Sequence, residues 1–357
     1  MPKEIRVAVA GVGNCTSSLV QGLYYYRDLK DDEEVPGLMH PRLGGYAIRD
    51  IVPVAAFDID ARKVGKDLSE AIFAAPNCTL KFSDVPHVGV EVIGTPVLDG
   101  LPEHLKRFFE SGEYAPAQEE DVVDILRRSK ADVLVNFLPT GSAEGARFFA
   151  RACIKAGVGF VNGIPELIVS DPEFQQAAER AGSQLVGDDV KSQVGATILH
   201  RTLLQLFRDR GLKIKRTYQL NYGGNSDFIN LVKRGESKEV TKTSALHAVV
   251  PYEIEASTGF GFLPILGDTK MAIVMVEGEK FGGAPIRVEA KLEVIDSPNS
   301  AGVIIDAIRC CKVARDRGVA GVLESASAYF MKHPPRQFPD EQARRMLEEF
   351  IAGTRER

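Results

Sequence analysis

Two rhythms of apolar and polar positions alternate over the first 190 or so residues. Short apolar runs, each closed by turn or polar residues, predict buried strands: IRVAVAG from Ile5, then IVPVAAFDID, ADVLVNFLPTG, VGFVNGIPE and SQLVGDD. Between them lie stretches of helical periodicity: CTSSLVQGLYYYRD, EEDVVDILRRSK, SAEGARFFARACIKAG and DPEFQQAAERAG. The Asp171-Pro172 pair predicts a helix start, with a capping carboxylate followed by a proline in the first turn. Strand–helix alternation of this kind predicts an α/β fold, a doubly wound parallel sheet with helices on both faces.

Two stretches break the rhythm. Asp28–Gly45, DLKDDEEVPGLMHPRLGG, is polar and then rich in Pro and Gly, and predicts a long loop or lid-like insertion. After GATILHRTLLQLFRDRG, a helix ending at Gly211, the pattern changes to strands: LKIKRTYQLNYGGN and PIRVEAKLEV. In the second, Ile286, Val288, Ala290, Leu292 and Val294 alternate with mostly charged partners, the pattern of a sheet with one wet face, usually antiparallel. The expected organisation is therefore a first unit over 1–195, an inserted α+β unit over 196–295, and helices over 296–357 that return to the first unit.

Composition narrows the function. The chain has 357 residues and a formal net charge of −5, so broad nucleic-acid binding is not expected, since that needs a concentrated basic surface. No run approaches the roughly 20 apolar residues of a membrane span. The opening MPKEIRVAVAG lacks the apolar core of a signal peptide, and the five cysteines form no CxxC pair or zinc spacing. A cytoplasmic protein with reduced thiols is the expectation.

The first candidate chemistry is VAVAGVGNCTSSL. Gly11 and Gly13 sit between a strand and a helix, where one permits a tight turn and the other lets the backbone approach a pyrophosphate at the helix N-terminus. This is a Rossmann-type dinucleotide signal, incomplete because Thr16 stands where the third glycine would be. The same pattern also suits a glycine turn without ligand. Asp58, ending the second strand, is the candidate partner for ribose hydroxyls and favours NAD over NADP; Asp60 is the weaker alternative. The insertion accounts for its unusual distance from the glycines.

Further candidates are individually ambiguous. GDDVKS (Gly187–Ser192) shapes either a polar site or capping and turn chemistry. Asp268 and Lys270 in LGDTK, Asp296 in VIDSPNSAG and Lys332 in YFMKHPP read singly as turn acids or solvated lysines. Lys238 and Lys242 share one face if helical, and like charges at that spacing cost a few tenths of a kcal/mol unless an anion relieves them.

Order and spacing change these odds. GVGN at 11–14, DI at 58–59, VNGIPE at 161–166, GDDVKS at 187–192, NYGGNSD at 221–227, SKEVTK at 237–242, GDTK at 267–270 and IDS at 295–297 together resemble the myo-inositol-1-phosphate (inositol-3-phosphate) synthase family over essentially the whole chain. The length and KSQVGAT resemble its short prokaryotic branch. The resemblance implies an isomerase of inositol and phospholipid biosynthesis. It would use NAD to oxidise D-glucose 6-phosphate at C5, enolise, close the carbocycle by intramolecular aldol attack, and re-reduce to 1D-myo-inositol 3-phosphate. It implies Lys238, Lys242, Lys270, Lys332, Asp227 and Asp296 as catalytic residues. Cofactor positions would be Gly11, Val12, Gly13, Asn14, Asp58, Ile59, Asn136, Asp189, Asp268 and Asp296, and Ser192 and Lys242 would take the phosphate. Within that set, Lys238 and Lys270 are matched to the C5 oxygen and enolate, and Lys332 to the ring-closing oxygens. A homotetramer built through the middle unit is implied, with FGFLPILGD at the contact surface, and room is left for a divalent metal ion of unassigned ligands. Two alternatives share the first half of the chain: a dehydrogenase with net hydride transfer, and a non-catalytic NAD-binding regulator.

Overall fold

The computed structural model describes residues 3–30, 35–110, 112–233, 250 and 252–357. Lys238 and Lys242 lie outside the described residues. In chain order the principal elements are β1 (Ile5–Ala10), α1 (Asn14–Tyr25), β2 (Arg42–Leu43), β3 (Tyr46–Ala47), β4 (Ile51–Asp58), α2 (Leu68–Ala71), β5 (Val92–Gly94), α3 (Glu119–Arg128), β6 (Val133–Asn136), α4 (Ala143–Ala156), β7 (Gly159–Asn162), α5 (Pro172–Ala181) and β8 (Gln184–Val186). Then follow α6 (Ala196–Asp209), β9 (Lys213–Gly223), α7 (Ser226–Lys233), β10 (Glu255–Phe262), β11 (Thr269–Glu279), β12 (Pro285–Ile295), α8 (Asp296–Asp316), β13 (Gly321–Val322), α9 (Glu324–Phe330) and α10 (Asp340–Ala352).

Seven strands form one parallel sheet in the order β13-β8-β7-β6-β1-β4-β5. Period-two alternation divides their side chains between two cores. Val7, Val9, Val133 and Val135 join Leu19 and Leu23 of α1 and Ile304 and Ile308 of α8 on one face. Ala8, Ala10 and Leu134 join Val122, Leu126 and Phe149 of α3 and α4 on the other. Burial on both faces is why these strands read as near-continuous apolar runs. The order reverses beside β1, which opens a crevice at the C-terminal ends of β1 and β6, the usual ligand position in such sheets.

The Asp171-Pro172 signal acts as expected: the Asp171 side chain accepts from Glu173 N, and α5 ends on Gly182 at φ +75°. The described part of the Asp28–Gly45 insertion is a strap fastened to α8, and it ends with β2, which pairs with β3 just beyond it. Fully buried Arg309 on α8 supplies the reason, since it needs acceptors and takes the carbonyls of His40, Pro41 and Tyr46. Gln193, next in the chain to cavity-lining Ser192, donates from Nε2 to Gly37 O of the strap at 2.9 Å.

The second sheet has the order β10-β9-β11-β12. β12 is antiparallel to β11, as its alternation suggested, and β11 to β9, whereas β10 runs parallel to β9. Helix α6 covers one face, burying Leu204 and Phe207 against Ile214, Val274 and Val276, with Ile286 and Val288 of β12 at the margin.

Loop Gly187–Ser192 is held by a buried carboxylate. Asp188 accepts from Asn162 Nδ2 (2.7 Å), Ile168 N (3.2 Å), Val169 N (3.0 Å) and Ser170 N (3.1 Å). Burial pushes its pKa up to about 6 against the pull of these donors, so at neutral pH it is an acceptor on both oxygens. Asp188→Asn would turn an amide N–H₂ toward N–H donors. We expect it to cost about 2–4 kcal/mol, a fall of several degrees in Tm by scanning calorimetry, where an unchanged Tm would disprove this account.

Candidate active site

The glycine turn after β1 is built by close approach. Gly11 has φ +88°, and a Cβ there would lie 2.6 Å from Phe137 O. Thr16, in place of a third glycine, donates from Oγ1 to Gly11 O at 2.6 Å and so ties the turn from inside α1. Gly13 has nothing within 4 Å of its Cβ position, which leaves open space beside the start of α1. That cradle fits the pyrophosphate of a dinucleotide.

The Val12 peptide is bracketed from both sides. Its N–H donates to Asp58 Oδ2 at 2.7 Å, while its carbonyl accepts from Lys63 Nζ at 2.7 Å and Asn77 Nδ2 at 3.0 Å. Asp58 also accepts from Ile59 N and Asp60 N, and Lys63 lies 3.9 Å away. Asp60 is turned to Arg62, at 2.6 Å. Burial lowers the pKa of Lys63, opposed by Asp58 and Asp60. Lys63 was not legible as a site residue, because ARKVGK reads as a run of solvated basic side chains. Asn14 holds the next segment, its Oδ1 accepting from Cys78 N and Thr79 N.

Opposite this turn, a cavity of about 250 Å³ is lined by Gly11, Gly13, Asn14, Asp58, Ile59, Asp189, Ser192, Asp227, Lys270, Asp296 and Lys332 among others. Residues from both sheets thus meet in one space. Three expected cofactor positions do not line it. Val12 is buried behind the turn, Asn136 donates to Asn162 Oδ1 at 2.9 Å, and Asp268 sits beneath. Asp268 braces the wall by accepting from Asn225 Nδ2 (3.0 Å) and Ser297 Oγ (2.8 Å), and burial raises its pKa despite these donors.

Besides Lys63, two described lysines line the cavity, and each is paired with a carboxylate. Lys270 Nζ is 3.3 Å from Asp296 Oδ1, and Lys332 Nζ is 2.8 Å from Asp189 Oδ1. Burial alone would lower the pKa of Lys270, but Asp296, Asp227 and Asp189 outweigh it and leave it raised, so this ammonium stays charged at neutral pH. The backbone sets the second pair: Lys332 N donates to Asp189 O at 2.6 Å, and Val190 bridges Met331. Asp189 itself stands at φ +63°, an uncommon conformation for a non-glycine residue. Asp227 accepts from Thr140 Oγ1 at 2.6 Å, which joins α7 to the loop after β6. Lys191, the lysine of GDDVKS, does not line the cavity. It is buried, bonded to Ala328 O and Asp340, and burial lowers its pKa to about 8.

Among the described residues, no group of three or more His, Cys, Asp or Glu side chains is placed to hold a metal ion. These residues do not fit a protein-built metal centre.

A family model described as Myo-inositol-1-phosphate synthase matches residues 195–297, which span α6 to the start of α8 and contain Asp227, Lys270 and Asp296. The inositol-3-phosphate synthase of Mycolicibacterium smegmatis is 51% identical, with 98% of each chain covered. The chain belongs to the myo-inositol-1-phosphate synthase family. The Corynebacterium glutamicum inositol-3-phosphate synthase is 50% identical over 97% of this chain and 98% of its own. A solved structure of a myo-inositol-1-phosphate synthase-related protein from Thermotoga maritima superposes with a TM-score of 0.80 at 26% identity, covering 98% of both chains. Membership over the full length makes the chain an isomerase that forms inositol 3-phosphate from glucose 6-phosphate.

Proposed function

We propose that this chain is an NAD-dependent inositol-3-phosphate synthase that converts D-glucose 6-phosphate to 1D-myo-inositol 3-phosphate. The observation that carries this reading is one cavity faced both by a dinucleotide-type glycine turn and by two lysine–carboxylate pairs, Lys270–Asp296 and Lys332–Asp189. Simple hydride transfer does not call for several ammonium groups. Enolisation and aldol closure do, because an enolate and an aldolate must be stabilised away from water.

Gly11, Gly13 and Asn14 would cradle the cofactor's pyrophosphate, with Asp58 and Ile59 at its adenosine end and Asp189 and Asp296 toward its reacting end. Bound NAD supplies the hydride acceptor for oxidation at C5 and the donor for the final reduction. Lys270, held charged by its carboxylate neighbours, neutralises the C5 oxygen as the substrate enolises, together with Lys238. Lys332 does the same for the oxygens of the closing ring. Ser192 and Lys242 take the phosphate, and Asp227 and Asp296 orient the ammonium groups.

In this reading residues 1–195 hold NAD, 196–295 carry catalysis and tetramerisation, and 296–357 return to the first unit. The exposure of Ile265 (93%) and Phe281 (99%) at turns of the second sheet supports a homotetramer formed there. A cytoplasmic location fits NAD and a sugar phosphate as reactants, and no helix among the described residues is long and apolar enough to cross a membrane.

The test is cofactor balance. With catalytic NAD and glucose 6-phosphate, inositol phosphate is expected to accumulate without net NADH. One NADH per product would replace this reading with that of a dehydrogenase, and NAD binding without any turnover would favour a regulator.

A further inference from the structure

The inward face of β9 is polar where a sheet covered by a helix is normally apolar. Thr217, Gln219 and Asn221, at alternate positions of the strand, are 3%, 3% and 1% exposed. His200, on α6 above them, is fully buried. Gln219 and Asn221 also line the cavity. These side chains form a continuous chain. Thr217 Oγ1 lies 2.5 Å from Met275 O and 2.6 Å from His200 Nε2. His200 Nδ1 lies 3.3 Å from Gln219 Oε1, Gln219 Nε2 is 2.8 Å from Asn221 Oδ1, and Asn221 Nδ2 is 3.3 Å from Gly259 O.

Both ends of the chain are backbone carbonyls, which can only accept. From Gly259 inward, Asn221 must donate, so its oxygen accepts from Gln219 and the Gln219 oxygen needs a donor at His200 Nδ1. From Met275 inward, the Thr217 hydroxyl donates, so its oxygen needs a donor at His200 Nε2. The two requirements meet on one ring, and only a doubly protonated imidazole has two N–H groups. Reversing both amides would satisfy a neutral ring but would turn Asn221 Oδ1 toward the Gly259 oxygen, two acceptors face to face beside the cavity. The adjacent cation, Arg201, is taken up by Asp340 at 2.7 Å.

We infer that His200 is a buried imidazolium whose two N–H groups fix the orientation of the Gln219 and Asn221 amides in the cavity wall, making it a positioning residue for the anionic substrate. A positive charge directly behind that wall suits a sugar phosphate. The substrate half of this inference rests on the proposed synthase reading; the protonation half does not.

Nitrogen-15 NMR of the full chain labelled at histidine decides the first half. Near neutral pH, the resonances lost in His200→Gln are expected to come from two protonated ring nitrogens, and an unprotonated nitrogen there overturns the inference. Thr217→Val removes the Nε2 acceptor from outside the cavity. It is expected to make His200 neutral and raise KM for glucose 6-phosphate about tenfold, with kcat and NAD affinity little changed, while Thr217→Ser restores both readouts. An unchanged KM in Thr217→Val overturns the positioning role. If the parent protein turns over no glucose 6-phosphate, the synthase reading fails while the NMR result still decides the charge on His200.

Discussion

Lys270→Ala is expected to lower kcat by on the order of 10³-fold, with NAD affinity held to within about threefold. The ammonium lies in the same cavity as the glycine turn, at the start of β11 where that strand pairs with Gly223 of β9. Its partner Asp296 starts α8, and the ring of Phe228 lies 5.7 Å from its nitrogen. The pairing keeps the charge in place before substrate arrives, so no reorganisation is needed when negative charge develops on the C5 oxygen. Removing it leaves Asp296 without its cation beside that developing charge, which is why the loss should exceed that of a single hydrogen bond. A fixed charge that stabilises the transition state affects kcat and kcat/KM together, whereas one used only for binding would raise KM alone. Activity in Lys270→Ala within about tenfold of the parent would remove this residue from the mechanism.

Periodicity showed the parallel sheet, because strands buried on both faces carry continuous apolar runs and the helices between them do not. It did not show β5 or β13, which are three and two residues long and too short to establish a rhythm. The parallel β10 was hidden for another reason: EASTGFGF is half-buried along most of its length, so no clean alternation marks its faces. The site was legible only as an ordered set of motifs. GDDVKS offered two adjacent carboxylates with nothing to tell them apart, and the structure separates them. Asp188 anchors the loop from behind, while Asp189 turns through a positive φ to meet Lys332. That choice depends on residues 143 positions away in the chain, which no local pattern records. Lys63 and the polar inward face of β9 went unread for the same reason. Burial turns an ordinary surface residue type into a site component, and burial is a tertiary property.

Gly11→Ala is expected to weaken NAD binding by on the order of 10²-fold and to lower Tm as well. Two costs act at this position. A φ of +88° strains any residue with a Cβ, by about 1–3 kcal/mol. The added methyl would also stand 2.6 Å from Phe137 O and 2.8 Å from Phe137 C, both backbone atoms at the end of β6. Neither side can give way easily. Gly11 N donates to Phe57 O at 2.8 Å, its carbonyl is held by Thr16, and Phe137 N donates to Ala10 O at 2.8 Å. Relief therefore has to come from the turn itself, which moves the Val12 peptide off Asp58 and Lys63 and spoils the cradle. Gly13→Ala separates the two effects, since its Cβ meets no protein atom within 4 Å and its φ of −89° is ordinary. That variant should keep the parent's Tm yet still lose NAD affinity, because the methyl would occupy the space left for the pyrophosphate. Titration calorimetry with NAD, beside thermal unfolding of both variants, reads the comparison. Parental NAD affinity in Gly13→Ala would mean that the dinucleotide does not approach this turn, whatever happens to Gly11→Ala.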